Sequence, residues 1–361
     1  MSKPVISMGL ECPMIREGSN LSEIVVNAVL NSGQKLNDLD VVGITESVVA
    51  RSCGNYVSVS DVAEETKRIF GPDATIMLYN PIYSRNRFAM ILKGIARGAK
   101  KIILIMPYED EVGNVLRNHP FTGLDYDTYY KEIVEGEGCE CVILNGLQGG
   151  RYDKNYFNSW IMNNLASQIS GYLDCTLHNN KFSSLCIHSW YCFNPVYTLH
   201  EYFKDKSDYG LLGSNKATEE KLKLFPSKES ALKICTEVKE ELKKKTGKNI
   251  IVVVYGDGAF KDPVGGIWEF ADPVTMPAYT NPELIESTPN EIKLKALIDS
   301  SASDAEVRKQ LQAKESNLKG SMKSQGTTPR LCRDLLASLM DLTSGSGDRE
   351  TPVVLVKGYF V

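Results

Sequence analysis

No stretch of this sequence approaches the roughly 20 consecutive apolar residues that a membrane-spanning helix needs. The first residues, MSKPVISMGLECP, lack the continuous apolar core of a secretory leader, so the expectation is a cytoplasmic protein without a membrane partner. Nor is there an excess of one charge. Lysine and arginine number 41 against 45 acidic residues, a net charge of -4, which leaves no electrostatic footprint for nucleic acid. A Walker lysine pattern is also missing, so any nucleotide must be held in another way.

What is present is an ordinary globular composition, 42% hydrophobic and 24% charged. At 361 residues the chain exceeds the size at which a single core stops growing, and two packed units are expected. The nine cysteines are odd in number and scattered through apolar runs such as CVILNG, as reduced, buried thiols are. Cys175, His178, Cys186, His188 and Cys192 could in principle supply four zinc ligands. The second pair, however, sits at strand spacing in an apolar segment, and packed thiols are the better reading.

Patterning along the chain alternates between strand and helix. Val5 to Met8 reads as a strand, and Asn20-Leu21-Ser22-Glu23 opens a helix whose Leu21, Ile24, Val25, Ala28 and Val29 share a face. A second strand is expected over Val41 to Ala50. From Pro72 the texture changes to ATIMLYNP, a helix over RNRFAMILKGIARGA, KIILIMPYED, CECVILNG and a helical NYFNSWIMNNLASQI, the signature of a parallel sheet with covering helices. Residues 72–200 are therefore expected to form an inserted α/β strand-helix-strand unit, and 1–71 together with 201–361 the other domain. A charged helix from Ser227 to Lys245 precedes the strand IIVVVYG, and the chain closes with a helix over Leu331 to Leu342, SGSGD and the strand PVVLVKGYF.

Three segments carry a specific likeness. GLECPMIREGSNLSEIVVNAV, the stretch ending ITESVVARSCG, and the pair GSNKATEEKLKLFP and VVVYGDGAFKDPVGG resemble, in order and spacing, the coenzyme F-420:L-glutamate ligase family. RDLLASLMDLTSGSGDRETPVVLVKG is similar to that family's closing helix, Gly-rich turn and strand. The likeness covers residues 5–60, 208–270 and 330–358.

The resemblance implies an α+β fold of intertwined sheets, a homodimer, and a reaction in which GTP or ATP with Mg2+ or Mn2+ activates a carboxylate as an acyl phosphate. The amine of an amino acid such as glutamate then displaces phosphate and leaves an amide. It also implies roles by position. Gly9, Leu10 and Glu11 fall on the loop that meets the nucleotide, Glu46 and Ser47 on a hydroxyl pair at a strand end, and Arg51 on a phosphate-contacting lysine. Asn215 falls on a motif asparagine, Asp257 on a metal-binding aspartate, and Gly345, Ser346 and Gly347 on the Gly-rich turn.

Asp257 follows a buried strand and lies between two glycines, small neighbours that let a cation and phosphate oxygens come near the backbone. Outside that resemblance, an Asp-Gly turn after a strand is the plainer reading. The sequence also departs from the family. Leu212 stands where a second metal aspartate is expected, Gly258 replaces a hydroxyl residue, and Glu46 replaces a small hydroxyl residue. Asp208, Asp262, Asp334 and Asp341 are substitutes to weigh.

The insert adds its own candidates. Its strands end in polar loops, which in a parallel sheet share the ligand-binding edge. Arg85, Arg87, Asp110 and Asn145 on these loops are expected to select the substrate. Two other classes stay open: a nucleotide- or small-anion-binding protein that has lost catalysis, and a hydrolase or transferase run by the insert.

Overall fold

The computed structural model describes residues 4–79, 87–106, 118, 123–145, 183–186, 196–257, 260–261, 268–269, 274–287, 303–313, 331–344 and 350–360. In chain order the elements are β1 (Ile6–Leu10), α1 (Leu21–Asn31), β2 (Val41–Thr45), α2 (Glu46–Ser52), β3 (Tyr56–Ser58), α3 (Val59–Phe70), β4 (Thr75–Tyr79), α4 (Arg87–Gly98) and β5 (Lys101–Met106). They continue with α5 (Tyr126–Gly136), β6 (Glu140–Asn145), β7 (Ser183–Cys186), β8 (Val196–Thr198), β9 (Ser214–Thr218), β10 (Lys221–Leu224), α6 (Lys228–Thr246) and β11 (Ile251–Asp257). Last come β12 (Phe260–Lys261), β13 (Trp268–Glu269), β14 (Val274–Tyr279), α7 (Pro282–Ile285), α8 (Asp304–Ala313), α9 (Cys332–Ser344) and β15 (Val353–Lys357). The protein is thus mixed α and β with several sheets, compatible with an α+β class. Among the described residues no helix is long and apolar enough to cross a membrane.

The chain divides into two compact units, one of residues 1–55 and 225–361, the other of 56–224. In the first unit five strands form a sheet in the order β1-β15-β2-β11-β14. β2 and β11 run parallel, and the other neighbours are antiparallel. Along β11, Val252 and Val254 enter the core shared with α1 and α6, while Ile251, Val253 and Tyr255 enter the core shared with α9. Both faces are covered, which is why this strand reads as an unbroken apolar run and not as an alternation.

Local chemistry starts and stops the helices as the sequence led one to expect. Asn20 caps α1, its Oδ1 accepting from the Glu23 amide at 3.3 Å, and Leu21, Val25 and Val29 are buried with Ile24 and Ala28 packed beside them. Ser227 caps α6, which ends at Gly247 in the left-handed conformation after Lys243, Lys244 and Lys245. The expected strand over Val41 to Ala50 is shorter. It stops at Thr45, and Glu46 begins α2, because Val48, Val49 and Ala50 are buried on successive sides, which suits a packed helix better than a strand with alternate faces.

The second unit starts earlier and ends later than the expected 72–200 insert. It includes the antiparallel sheet β3-β10-β9, and α3, which packs closely on α4. Gly94 and Gly98 permit that closeness: a Cβ at Gly94 would lie 2.6 Å from the Val62 side chain, and one at Gly98 2.5 Å from the Ala63 carbonyl. Five parallel strands form the larger sheet in the order β6-β5-β4-β7-β8. The chain therefore winds outward from β4 through β5 and β6, then crosses to the other side of β4 for β7 and β8. α5 presents the fully buried Tyr130 edge-on to Phe88 of α4 at 5.1 Å. The expected helix over NYFNSWIMNNLASQI lies outside the described residues.

Candidate functional site

In the first unit, strand register collects the ends of five strands on one edge. Leu10 pairs with Val353, Val353 with Ile44, Tyr255 with Thr45, and Asp257 with Val274. β1, β2 and β11 therefore end on the edge where β15 and β14 begin. Gly9, Leu10, Glu11, Glu46, Ser47 and Asp257 all belong to this edge, though they come from three distant stretches of sequence.

Loop contacts knit the edge together. The amide of Cys12 donates to the Glu350 carbonyl at 3.0 Å, that of Thr45 to Pro352 at 3.0 Å, and that of Gly18 to Ser52 at 2.9 Å. Glu11 is exposed, whereas Cys12 is buried and its thiol is pushed up to about 11 by desolvation. Thr351 Oγ1 donates to the Ser344 carbonyl at 2.9 Å, so the two ends of the Gly-rich turn meet here. Gly345, Ser346 and Gly347 themselves lie outside the described residues.

Glu46 is the residue whose setting the sequence did not announce. It is only 3% exposed, at the first position of α2. Parallel register sets it beside Gly256, where an added Cβ would collide with the Glu46 Cγ. The expected use of this glycine, room for an ion to approach the backbone, is thus corrected: the open side of Gly256 is filled by a carboxylate side chain. The register of β11 on β14 also shifts between Val254 and Gly256, an irregularity of the kind that bends a strand end next to a site. Ser47 and Arg51 are half-buried, with Arg51 in the last turn of α2.

The remaining expected residues are distributed elsewhere. Asn215 is in β9 of the second unit, opposite the buried Lys223 of β10. Leu212, in a short 3-10 turn over Gly210–Leu212, is 4% exposed and packs as a core residue. Of the substitute aspartates, Asp262 lies outside the described residues, and Asp208 belongs to the second unit. Asp334 stands in the first turn of α9, whose start bonds to Ser287 beyond the far end of β14, so it sits at the opposite edge of the sheet. Asp341 is in the last turn of α9.

In the second unit, Arg87 opens α4 and Asn145 closes β6 beside Met106 of β5. Arg85 and Asp110 lie outside the described residues, as do Cys175, His178, His188 and Cys192 of the zinc alternative. Among the described residues no group of three or more histidine, cysteine or acidic side chains could hold a metal by itself. The first-unit edge does offer a carboxylate-bearing residue at the end of β11 and a second, buried carboxylate on the adjoining strand end. Such oxygen donors suit a hard divalent cation.

The family model described as F420-0:Gamma-glutamyl ligase matches residues 9–358. No curated protein matches the chain. Among solved structures, the tetrameric eIF2B-beta2-delta2 complex from C. thermophilum is similar at 12% identity and a TM-score of 0.19, covering 36% of this chain and 43% of that one. eIF2B beta from Chaetomium thermophilum is similar at 11% identity and a TM-score of 0.16, covering 36% and 41%. The chain thus spans less than half the length of these solved chains.

Proposed function

Because the chain belongs to the F420-0:Gamma-glutamyl ligase family, a family of C–N bond-forming enzymes, we propose that it is a nucleotide- and divalent-metal-dependent amide ligase. It joins an amino acid, glutamate-like in character, to a small carboxylate. The observation that carries this reading is the single sheet edge on which Gly9–Glu11, Glu46–Ser47 and Asp257 converge from distant sequence.

The substrate carboxylate attacks the γ-phosphorus of GTP or ATP, giving an acyl phosphate and the nucleoside diphosphate. The amine then attacks the acyl carbon, phosphate leaves with the bonding pair, and the nitrogen loses a proton to yield the amide. In this reading Gly9, Leu10, Glu11, Glu46 and Ser47 meet the nucleotide, with the turn Gly345-Ser346-Gly347. Arg51 steadies phosphate through its guanidinium, which offers a broader, bidentate contact than lysine would. Asp257 holds Mg2+ or Mn2+, which offsets charge on the phosphate oxygens when bound.

The second unit selects the substrate at the carboxyl edge of its parallel sheet. Arg85 and Arg87 follow β4, Asp110 follows β5 and Asn145 ends β6. The reversal of winding at β4 supports this assignment, since doubly wound sheets take ligands where the strand order turns back. The working form is a cytoplasmic homodimer.

Thermal melting with GTP, ATP or neither, each with and without Mn2+, tests the reading. A nucleotide held only by the folded state at about 100 times its dissociation constant adds about 2.7 kcal/mol, a readily measured rise. The expected result is a rise that needs Mn2+ and disappears in Asp257→Asn; no shift with either nucleotide would sink the proposal. The buried Leu212 at a family aspartate position favours one second reading, a binding protein that has lost catalysis. Nucleotide binding with no phosphate or amide released over a panel of acids and amino acids would select it.

A further inference from the structure

We propose that Thr351 is a positioning residue of the nucleotide site, holding the stretch Gly9–Glu11 in place through the backbone of Gly9. The inference rests on the reading of that stretch as the part of the chain that meets the nucleotide, and adds a side chain that touches it from the other end of the sequence.

Contacts of three successive residues carry it. The Thr351 side chain sits against the bare side of Gly9: a Cβ on that glycine would lie 2.9 Å from the Thr351 Cβ, 3.0 Å from its Oγ1 and 3.3 Å from its Cγ2. The hydroxyl is fixed in turn, because Oγ1 donates to the Ser344 carbonyl at the end of α9 at 2.9 Å. On one side of Thr351 the Glu350 carbonyl accepts from the Cys12 amide, and on the other the Pro352 carbonyl accepts from the Thr45 amide, each at 3.0 Å. Residues 350–352 therefore tie together the segment that follows β1, the end of α9 and the end of β2.

Residue type and backbone agree with this role. Valine would cover Gly9 but would turn a methyl group toward a carbonyl deprived of its donor, and serine would keep the donor but lose the methyl. Threonine supplies both in a side chain that is stiff at its first torsion. Glu350 has a φ of 53°, a left-handed conformation that a non-glycine residue keeps only where its surroundings over-determine it. The Cys12 hydrogen bond and the anchoring of Thr351 supply that determination. A binding stretch whose shape is set before its ligand arrives has less to order on association, and so binds more tightly.

The test is calorimetric titration of the full chain with GTP and with ATP, each with Mn2+, for the wild type, Thr351→Val, Thr351→Ala and Thr351→Ser, at a temperature where circular dichroism shows them folded. Loss of the hydroxyl in Thr351→Val is expected to weaken binding roughly tenfold, while Thr351→Ser, which keeps it, stays within about threefold of the wild type. Thr351→Ala carries the same expectation as Thr351→Val and, adding no bulk against Gly9, serves if the valine variant does not fold. Without nucleotide, hydrogen exchange at the amides of residues 10–12 should quicken in the two hydroxyl-free variants and return to the wild-type rate in Thr351→Ser, with α1 and α6 unchanged. Equal affinity in the wild type and the hydroxyl-free variants, equal weakening in all three variants, or unchanged exchange at residues 10–12 overturns the assignment and leaves the nucleotide reading standing. A wild type that binds neither nucleotide removes that reading, and the role given to Thr351 falls with it.

Discussion

A single methyl group at Gly256 would meet the side chain of Glu46, and neither partner can retreat far. Glu46 is anchored by the start of α2 and Gly256 by strand pairing with Thr275 of β14. Gly256→Ala is therefore expected to lower stability by about 1–3 kcal/mol, the usual cost of forcing extra volume into a packed region. Shortening the opposing side chain should relieve it: Gly256→Ala with Glu46→Ser should recover much of the loss, and the non-additivity measures the contact. Urea unfolding of the two single variants and the double variant checks this, and strictly additive losses would show that the two residues do not touch. At this scale Asp257 and Glu46 both stood out in the sequence as candidates, but the burial of Glu46 did not. Nothing local in TESVVAR marks a buried acid, since the burial is created by a strand more than two hundred positions away.

Elements were easiest to read where caps and periodicity agree. α1, α6, α9, β11 and β15 lie within a few residues of their sequence-based limits, each bounded by a capping residue, a glycine or a charged turn. α2 was hidden because Val48, Val49 and Ala50 look strand-like, and only tertiary burial decides between the two. α3 carries a capping box that tests cleanly. Ser58 Oγ accepts from the Asp61 amide at 3.0 Å, and the Asp61 carboxylate accepts from the Ser58 amide at 2.6 Å. That backbone hydrogen bond lowers the Asp61 pKa below its ordinary value. A carboxylate with a depressed folded-state value lends stability that is full above the unfolded value of about 3.9 and is lost as pH falls through the folded one. Ser58→Ala is expected to cost about 1 kcal/mol near neutral pH. Asp61→Asn should also destabilise near neutral pH, with the gap to wild type closing below about pH 4. Urea midpoints followed across that range decide, and a gap independent of pH would remove the carboxylate as its source.

At the scale of the whole molecule, two units were legible but their borders were not. The change of texture at Pro72 marks the start of the β4–α4 repeat. α3 joins the same unit because Gly94 and Gly98 admit it against α4, a match visible only once the helices are in contact. The first unit is discontinuous, and its sheet depends on β15, whose Val353, Val354, Leu355 and Val356 are fully buried between β1 and β2. Removing residues 353–361 is expected to abolish the cooperative thermal transition of this unit, read by circular dichroism and calorimetry. A truncated chain that melts like the full one would show that β1 and β2 hold together without it.

The same arrangement sets a timetable for synthesis on the ribosome. β1 and β2 are made early, but the strand that belongs between them is made only after the whole of the other unit. At roughly 5–20 residues per second that interval is on the order of tens of seconds. Through it, β1 and β2 lack the strand that joins them, while the described strands of the two sheets β3-β10-β9 and β6-β5-β4-β7-β8 all fall within the contiguous residues 56–224. The nascent chain is thus most exposed to mispairing at its oldest part, and helpers that shield β1 and β2 should raise its yield more than any that act on the segment made later.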